Sequence, residues 1–474
     1  MESRASAATP AEDFVCLHFV FLHHGYHGRE TDFHYLSSTA ESALRAAHGD
    51  DAPASQPASP HFVFIHPSGS SFLRREQGVV AYAQRYSNHA CAVISETLSP
   101  FSRERNRGVD HDDKSGRGTA AGSAARGAPV ELHFSAVGHS MGGLILRFAF
   151  PLIMRWVEQL VSQSPWVRGV HWDTFCTMAT PHLGVLYVGS HVKTFLGKMA
   201  GSLLSAAVAD LFSQSTLITL DLVTEESLAA WARFKRRVIL NVVDDRIVVV
   251  CSSSFVMPLD VRQRISAAVP SPPPASSSHA APAVLNSTDE SKQSVVAGAV
   301  RGPSHGKEHS GPEKRTCFDV PNTDASVMHL AEFGVYCAST VEGLRRNAYE
   351  LKKLSDELWP PELLPQQRAL AERILGRVGP LELHLLDFRP LRDAPVECLP
   401  RHVAEARAKL GVCSSAMMAL GAHNFSHAAM ACKGLFNYPA FFGFPSEYIV
   451  TDLLGIPLTV HGLSTDAKDA STSL

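Results

Sequence analysis

The chain has 474 residues, a formal net charge of −3 at pH 7 and 45% hydrophobic residues, a composition typical of a mixed α/β enzyme with a large core. The near-neutral charge and the lack of a basic stripe in the sequence argue against a nucleic-acid partner. Nine cysteines without Cys-x-x-Cys spacing argue against a disulfide framework or a zinc site, so we expect no metal and no cofactor.

The first predicted strand covers residues 18–22, and a turn rich in histidine and glycine follows at residues 23–28. If the chain carries a serine nucleophile on a strand–turn–helix elbow, a loop after an earlier strand must supply one N–H of the oxyanion hole. We expect the N–H of Tyr26 to be that donor. Gly25 and Gly28 would equally suit an ordinary turn at the end of a strand, and this alternative stays open.

The elbow itself is predicted at residues 134–143, which read Phe-Ser-Ala-Val-Gly-His-Ser-Met-Gly-Gly. A strand at 132–137 leads into the turn, and an apolar helical segment follows from Gly143 to about residue 160, which is the context that a nucleophile elbow requires. We therefore expect Ser140 to be the nucleophile and the N–H of Met141 to be the second oxyanion donor, because a helix N-terminus favours negative charge.

An acid is expected at the end of a later strand, because the triad order in such folds is Ser, Asp, His. Residues 238–243 read as a buried strand, and Asp244 and Asp245 follow it directly. We favour Asp245 as the carboxylate that orients the base, with Asp244 as the alternative. Both residues could instead only cap the next turn.

The base must come from a loop beyond the last predicted strand, residues 381–386, and the chain has 24 histidines. The polar, turn-like segment from Ala422 to His427 is the best location. We favour His423 and keep His427 as the alternative. The two histidines are four residues apart and would share a helix face, but no Glu or Cys stands near them at metal-ligand spacing.

These blocks together resemble the putative serine esterases, which are lipase-like proteins of the α/β-hydrolase fold found in fungi, plants and protists. The similarity rests on a strand with a His-Gly turn, the elbow from Val137 to Arg147, the Ala-Thr-Pro-His-Leu-Gly block at 179–184, the segment at 234–248 and the Ala-His-Asn at 422–424. The resemblance implies Ser140, Asp245 and His423 as a triad, and esterase or lipase activity on acylglycerol or phospholipid substrates. The chain departs from the family pattern at Val249, where proline is common, and in the long gap before His423.

We therefore predict one α/β-hydrolase domain over residues 1–474, with a mostly parallel sheet covered by helices on both faces. Two insertions are expected: a flexible loop at 101–130, and a disordered Ser/Pro/Ala-rich segment at 260–316. Residues 338–376 read as helical. Further strands are expected at 62–66 and 174–178.

The predicted reaction is hydrolysis of lipid carboxylic esters through an acyl-enzyme. A thioesterase or acyltransferase on the same triad, or a non-catalytic lipid-binding or scaffold protein, are the alternatives. Residues 1–13 lack the apolar stretch of a signal peptide, which together with the cysteine usage predicts a cytoplasmic location. The apolar, weakly charged segment at 195–222 suggests either a buried helix pair or a lid that contacts a membrane or lipid-droplet surface.

Overall fold

A computed structural model describes four stretches of the chain, which together contain the central sheet and the helices around it. The described residues are 14–107, 129–256, 337–388 and 427–458, apart from gaps at 27, 49–59, 69–77, 186–205, 213–215, 243–244, 246, 339, 347, 355, 357–358, 360–364, 428 and 434–441.

An eight-stranded sheet forms the centre of the protein. In chain order the strands are β1 Val15–His23, β2 His61–Ile65, β3 Val130–His139, β4 Val167–Met178, β5 Arg236–Val242, β6 Cys337–Ala338, β7 Tyr349–Leu351 and β8 Leu381–Leu386. Their order across the sheet is β2-β1-β3-β4-β5-β8-β6, and β7 also pairs with β8. All pairs are parallel except β7 with β8.

Helices connect most of the strands, as crossovers between parallel strands require. They are α1 His34–His48, α2 Val79–Arg107, α3 Met141–Ser162, α4 Ala206–Leu211, α5 Glu225–Ala232, α6 Val250–Ser254, α7 Val341–Arg346, α8 Pro365–Val378 and α9 Phe444–Tyr448. Short 3₁₀ turns at Glu30–Phe33 and Asp221–Val223 and a π turn at Ile449–Leu453 complete the described elements. No described helix is long and apolar enough to span a membrane.

Both faces of the sheet are buried, which explains the near-continuous apolar strands. In β1, Phe19 and Phe21 belong to one core cluster, whereas Val20 and Leu22 belong to a second. Because successive side chains of a strand point to opposite faces, the two clusters lie on opposite sides of the sheet. The first cluster includes residues of α2, α3 and α8, and the second includes residues of α1 and α9.

The predicted α/β class and all six predicted strands are confirmed, with shifts of a few residues at their ends. Two segments differ in structure from what the sequence predicted. Helix α2 continues to Arg107, into the segment expected to be a loop from 101, and Phe101 stacks on Trp166 at a centroid distance of 6.3 Å. The region expected to be helical at 338–376 also contains β7, whose pairing with β8 favours an extended backbone. The insertion at 260–316 lies outside the described residues.

Candidate active site

Ser140 lies at the sharp turn between the end of β3 and the start of α3. Its backbone has φ 55° and ψ −128°, a left-handed conformation that a non-glycine residue rarely adopts. The surrounding structure holds this conformation: the N–H of Ser140 donates to the carbonyl of Met178 at 2.7 Å, and the Ser140 carbonyl accepts from the N–H of Gly143 at 3.1 Å. A strained residue fixed in this way lifts its hydroxyl above the carboxyl edge of the sheet.

The elbow contains two glycines at positions where the neighbouring chain leaves no room for a side chain. A Cβ atom at Gly142 would lie 2.0 Å from the carbonyl oxygen of His23, and one at Gly143 would lie 2.1 Å from Oγ1 of Thr180. Both distances are far below van der Waals contact. The Gly-Gly pair therefore lets helix α3 begin directly against the loop after β1 and the segment after β4.

The loop after β1 approaches the serine closely. A Cβ atom at Gly25 would lie 2.7 Å from Cβ of Ser140 and 3.1 Å from its Oγ. The turn is closed by the N–H of Gly28, which donates to the Gly25 carbonyl at 3.0 Å. Tyr26 follows Gly25 and is partly buried against the core. Met141 is the first residue of α3, so its N–H is outside the helical hydrogen-bond ladder.

Asp245 lies just beyond β5 and is held in one orientation. Its Oδ1 accepts from the N–H groups of Ile247 at 2.8 Å and Val248 at 2.9 Å. Its Oδ2 pairs with Nδ1 of His427 at 2.6 Å, and the Asp245 side chain has no exposed surface. Since one carboxylate oxygen is used by the backbone, the other is fixed toward the imidazole.

His427 is tied to the elbow as well as to the acid. Nε2 of His139 lies 2.9 Å from the His427 carbonyl oxygen, and the two rings are 4.8 Å apart at their centroids. Because a carbonyl can only accept, Nε2 of His139 carries the proton. Burial is the main reason that the pKa of His139 lies well below its usual range, so the ring is neutral.

A second contact anchors the segment that follows His427. Lys433 donates through Nζ to Oδ2 of Asp32 at 2.7 Å, and both side chains are largely buried. Asp32 lies in the 3₁₀ turn after the β1 loop. The loop near the serine and the segment that carries His427 are therefore joined.

A buried arginine stabilises the segment after β4. Arg147 of α3 donates through Nη2 to the Leu222 carbonyl at 2.7 Å, and its Nη1 lies 3.1 Å from Nδ1 of His182. Its guanidinium lies 4.7 Å from the ring centroid of Trp231. Burial lowers the pKa of Arg147 to about 9, which leaves it charged at neutral pH. This contact joins the helix after the elbow to His182 of the Ala-Thr-Pro-His-Leu-Gly block.

The structure thus brings Ser140, Met141 and the Tyr26 loop to one edge of the sheet, and pairs Asp245 with a histidine. That histidine is His427, the alternative of the sequence analysis. His423 and Asp244 lie outside the described residues. Sequence reasoning did not identify His139 and Lys433 as anchors. Position alone could have indicated His139, since it precedes the nucleophile.

The fold and this geometry define a class: an α/β-hydrolase fold with a serine at a nucleophile elbow and an Asp–His pair beside it. Residues 120–255 match the family model described as "Putative serine esterase (DUF676)". The resemblance inferred from the sequence is therefore confirmed for this part of the chain, which includes the elbow and Asp245. No curated protein matches the sequence.

Three solved structures with a remote likeness to this chain illustrate the fold comparison. Phospholipase PlaB from Legionella pneumophila, solved with thio-NAD, is 11% identical over 47% of this chain and 37% of its own, with a TM-score of 0.22. A "putative cell surface hydrolase" from Lactobacillus plantarum is 12% identical over 52% of this chain and 76% of its own, with a TM-score of 0.22. A lipase-esterase related protein from Clostridium acetobutylicum is 11% identical over 52% of this chain and 81% of its own, with a TM-score of 0.23. This chain spans little more than a third of the phospholipase.

Proposed function

We propose that this protein is a serine esterase that hydrolyses carboxylic esters of lipids through an acyl-enzyme on Ser140. The observation that carries the proposal is the 2.6 Å hydrogen bond between Nδ1 of His427 and Oδ2 of Asp245, at the same sheet edge as the strained serine. His427 is the base and Asp245 the acid in this proposal. His423 is the competing base, and experiment separates the two.

The first chemical step follows from the tautomer of His427. Asp245 accepts the Nδ1–H, so Nε2 has a lone pair to accept the proton of Ser140. The Ser140 oxygen then attacks the ester carbonyl carbon. The tetrahedral intermediate collapses, the alcohol leaves with the proton from His427, and the acyl chain stays on the serine. Water repeats the sequence and releases the carboxylic acid.

The negative oxygen of the tetrahedral intermediate needs fixed donors. We assign the N–H groups of Met141 and Tyr26 to this role. The support is the position of Met141 at the start of α3 and the approach of Gly25 to Ser140. Loss of one such donor costs on the order of 3 kcal/mol of barrier stabilisation. No metal or cofactor takes part in this mechanism.

Lipid esters are the proposed substrate class because the family that the chain resembles is lipase-like. Such substrates are presented at a membrane or droplet surface, so we propose peripheral contact with that surface from the cytoplasm. Leu220 lies in the segment suggested to contact lipid, and 58% of its surface is exposed.

The triad is tested by labelling the full-length protein with a fluorophosphonate probe. We expect labelling of the wild type, none in Ser140→Ala, and a loss of at least 100-fold in rate in His427→Ala. His423→Ala is the matched control and should label normally. Normal labelling of His427→Ala with loss in His423→Ala would overturn the base assignment, and no labelling of the folded wild type would overturn the esterase proposal.

The substrate class is tested separately. Wild type and Ser140→Ala are incubated with acylglycerol emulsions, phospholipid vesicles and acyl-thioesters, and released fatty acid is measured. We expect Ser140-dependent release from the oxygen esters. Release from thioesters alone would contradict the proposed substrate and favour a thioesterase.

A further inference from the structure

We propose that Glu131, His133 and His171 form a binding site for one divalent transition-metal ion, with zinc as the preferred occupant, at the amino edge of the sheet. The inference is independent of the esterase proposal. Pairing of β3 with β4 creates the cluster, because His133 is the register partner of His171. Glu131 is two residues before His133 and therefore projects from the same face.

The ligand atoms already converge. One ligand atom from each residue lies within 4.8 Å of the other two. Nε2 of His133 and Nε2 of His171 are each 3.9 Å from Oε2 of Glu131. Ligands bound to a tetrahedral zinc at about 2.1 Å stand about 3.4 Å apart. The two pairs with Glu131 must close by about half an ångström, and the widest pair of ligand atoms, which are up to 4.8 Å apart, must close by about 1.4 Å.

A second carboxylate orients one of the histidines. Oδ2 of Asp173 lies 2.7 Å from Nδ1 of His133. A metal would displace the proton of Nε2 while the proton on Nδ1 stays bonded to Asp173, and such carboxylate–histidine pairs are the usual support of metal-bound histidines. Lys235 binds the other oxygen of Asp173 at 2.8 Å, which fixes the carboxylate.

The exposure and composition of the cluster suit an ion taken from solvent. The three side chains are 20–36% exposed, so an ion has access while much of each ligand is shielded. Two histidines and one glutamate are a known zinc ligand set, with water as the fourth ligand. Nε of Arg168 lies 3.8 Å from Oε1 of Glu131, whereas Oε2 is the oxygen that lies near the two histidines.

The site is remote from the candidate active site. His133 and Ser140 are at opposite ends of β3, roughly 20 Å apart at about 3.3 Å per residue. A metal bound there cannot touch an ester at Ser140. Its expected effect is to clamp the start of β3 to the start of β4 and stabilise the folded protein.

Zinc binding to the full-length protein tests the proposal, by equilibrium dialysis against a weak chelator and by thermal unfolding. We expect one zinc per chain and a melting temperature raised by a few degrees. His171→Ala and Glu131→Gln should each lose this zinc, with at least a 100-fold weaker affinity. Asp173→Asn should bind about 10- to 100-fold more weakly.

His34→Ala is the matched control, because His34 is an exposed histidine outside the cluster; it should keep the zinc and the rise in melting temperature. Circular dichroism confirms that each variant folds. If a histidine variant does not fold, Glu131→Gln alone tests the site. Equal zinc content and equal thermal shifts in wild type, His171→Ala and Glu131→Gln would overturn the proposal, and so would the absence of bound zinc in the wild type.

Discussion

Strand β3 carries a histidine near each end, and the two are in opposite environments. At the carboxyl end, burial and the charge of Lys433 hold the pKa of His139 well below its usual range. Near the amino end, hydrogen bonds with Asp173 and Cys16 raise the pKa of His133 to about 9. One end of the sheet therefore keeps a neutral ring that fixes neighbouring groups, whereas the other end attracts positive charge.

Residue type alone therefore does not determine the role of a histidine in this protein. Burial disfavours the charged ring, and a nearby carboxylate favours it. His427 differs from His139 and His133 in its contacts, since it is largely buried and bonded to the fully buried Asp245. Substitutions at the two edges therefore test whether the carboxyl edge is catalytic and rigid and whether the amino edge is stabilised by charge.

Replacing Ser140 should have the largest effect. We expect Ser140→Ala to lower ester turnover by about 10⁶-fold, because the nucleophile is lost. The measurement is hydrolysis of a short-chain nitrophenyl ester, with near-ultraviolet circular dichroism as the folding control. Ser135→Ala, on the same strand, is the matched comparison and should keep most activity. Turnover in Ser140→Ala equal to wild type would disprove a catalytic carboxyl edge.

Asp245→Asn should lower kcat by about 10⁴-fold while the fold persists. The amide oxygen can still accept from the N–H groups of Ile247 and Val248, but the amide no longer holds His427 in the required tautomer. Steady-state kinetics gives kcat, and thermal unfolding gives stability. A variant with unchanged kcat would show that the carboxylate only caps the turn.

The fold was largely predictable from the sequence, because buried parallel strands leave apolar runs such as residues 18–22 and 381–386. Ser140 and Asp245 could be proposed because the motifs place them at strand ends. The base was harder to predict. His423 and His427 share a segment of similar composition, and the contact of His427 with Asp245 joins residues 182 positions apart, which no local pattern shows.

The amino-edge cluster could not be predicted in the same way. Its members are distant in sequence, and their proximity depends on the register of β3 with β4. Metal-ligand spacing is visible in a sequence only within single stretches, and these three residues come from two separate strands. Likewise, the partner of the buried Arg147 could not be predicted, because Leu222 is 75 positions away.

Arg147→Met should lower the free energy of unfolding by about 2–4 kcal/mol, since the buried Leu222 carbonyl and His182 lose a charged donor. Arg155→Met, on the same helix, is the control: Arg155 is 60% exposed in its pair with Glu226 and should cost at most about 1 kcal/mol. Chemical denaturation measures both variants. Equal costs would show that burial does not distinguish the two arginines.

His139→Ala should lower kcat by about tenfold with little change in KM, because the segment of His427 loses its bond to the elbow. His139→Gln can still donate from a side-chain amide and should recover part of the rate. Partial recovery of kcat in His139→Gln would show that the hydrogen bond of His139 positions His427, and that the loss in His139→Ala is not only a loss of packing. If Gln and Ala variants lose kcat equally while both remain folded, the hydrogen bond does not position the base.

The smallest predicted effect lies at the amino edge, where Glu382 accepts from Arg236 at 2.8 Å and pairs with Nε2 of His384 at 2.7 Å. Burial acts to raise the pKa of Glu382, but these two partners outweigh it and lower the pKa from 4.5 to about 2. A lowered pKa in the folded state stabilises the protein fully at pH values above the pKa of the unfolded state, and this stability is lost as pH falls toward 2.

We therefore expect Glu382→Gln to lower the free energy of unfolding by about 1–2 kcal/mol at pH 7 and by progressively less between pH 5 and pH 2. Urea unfolding across this range measures the difference, with Glu225→Gln, from an exposed pair with Arg377, as the control that should show almost none. A cost for Glu382→Gln that does not change with pH would mean that shape, and not charge, stabilises this edge.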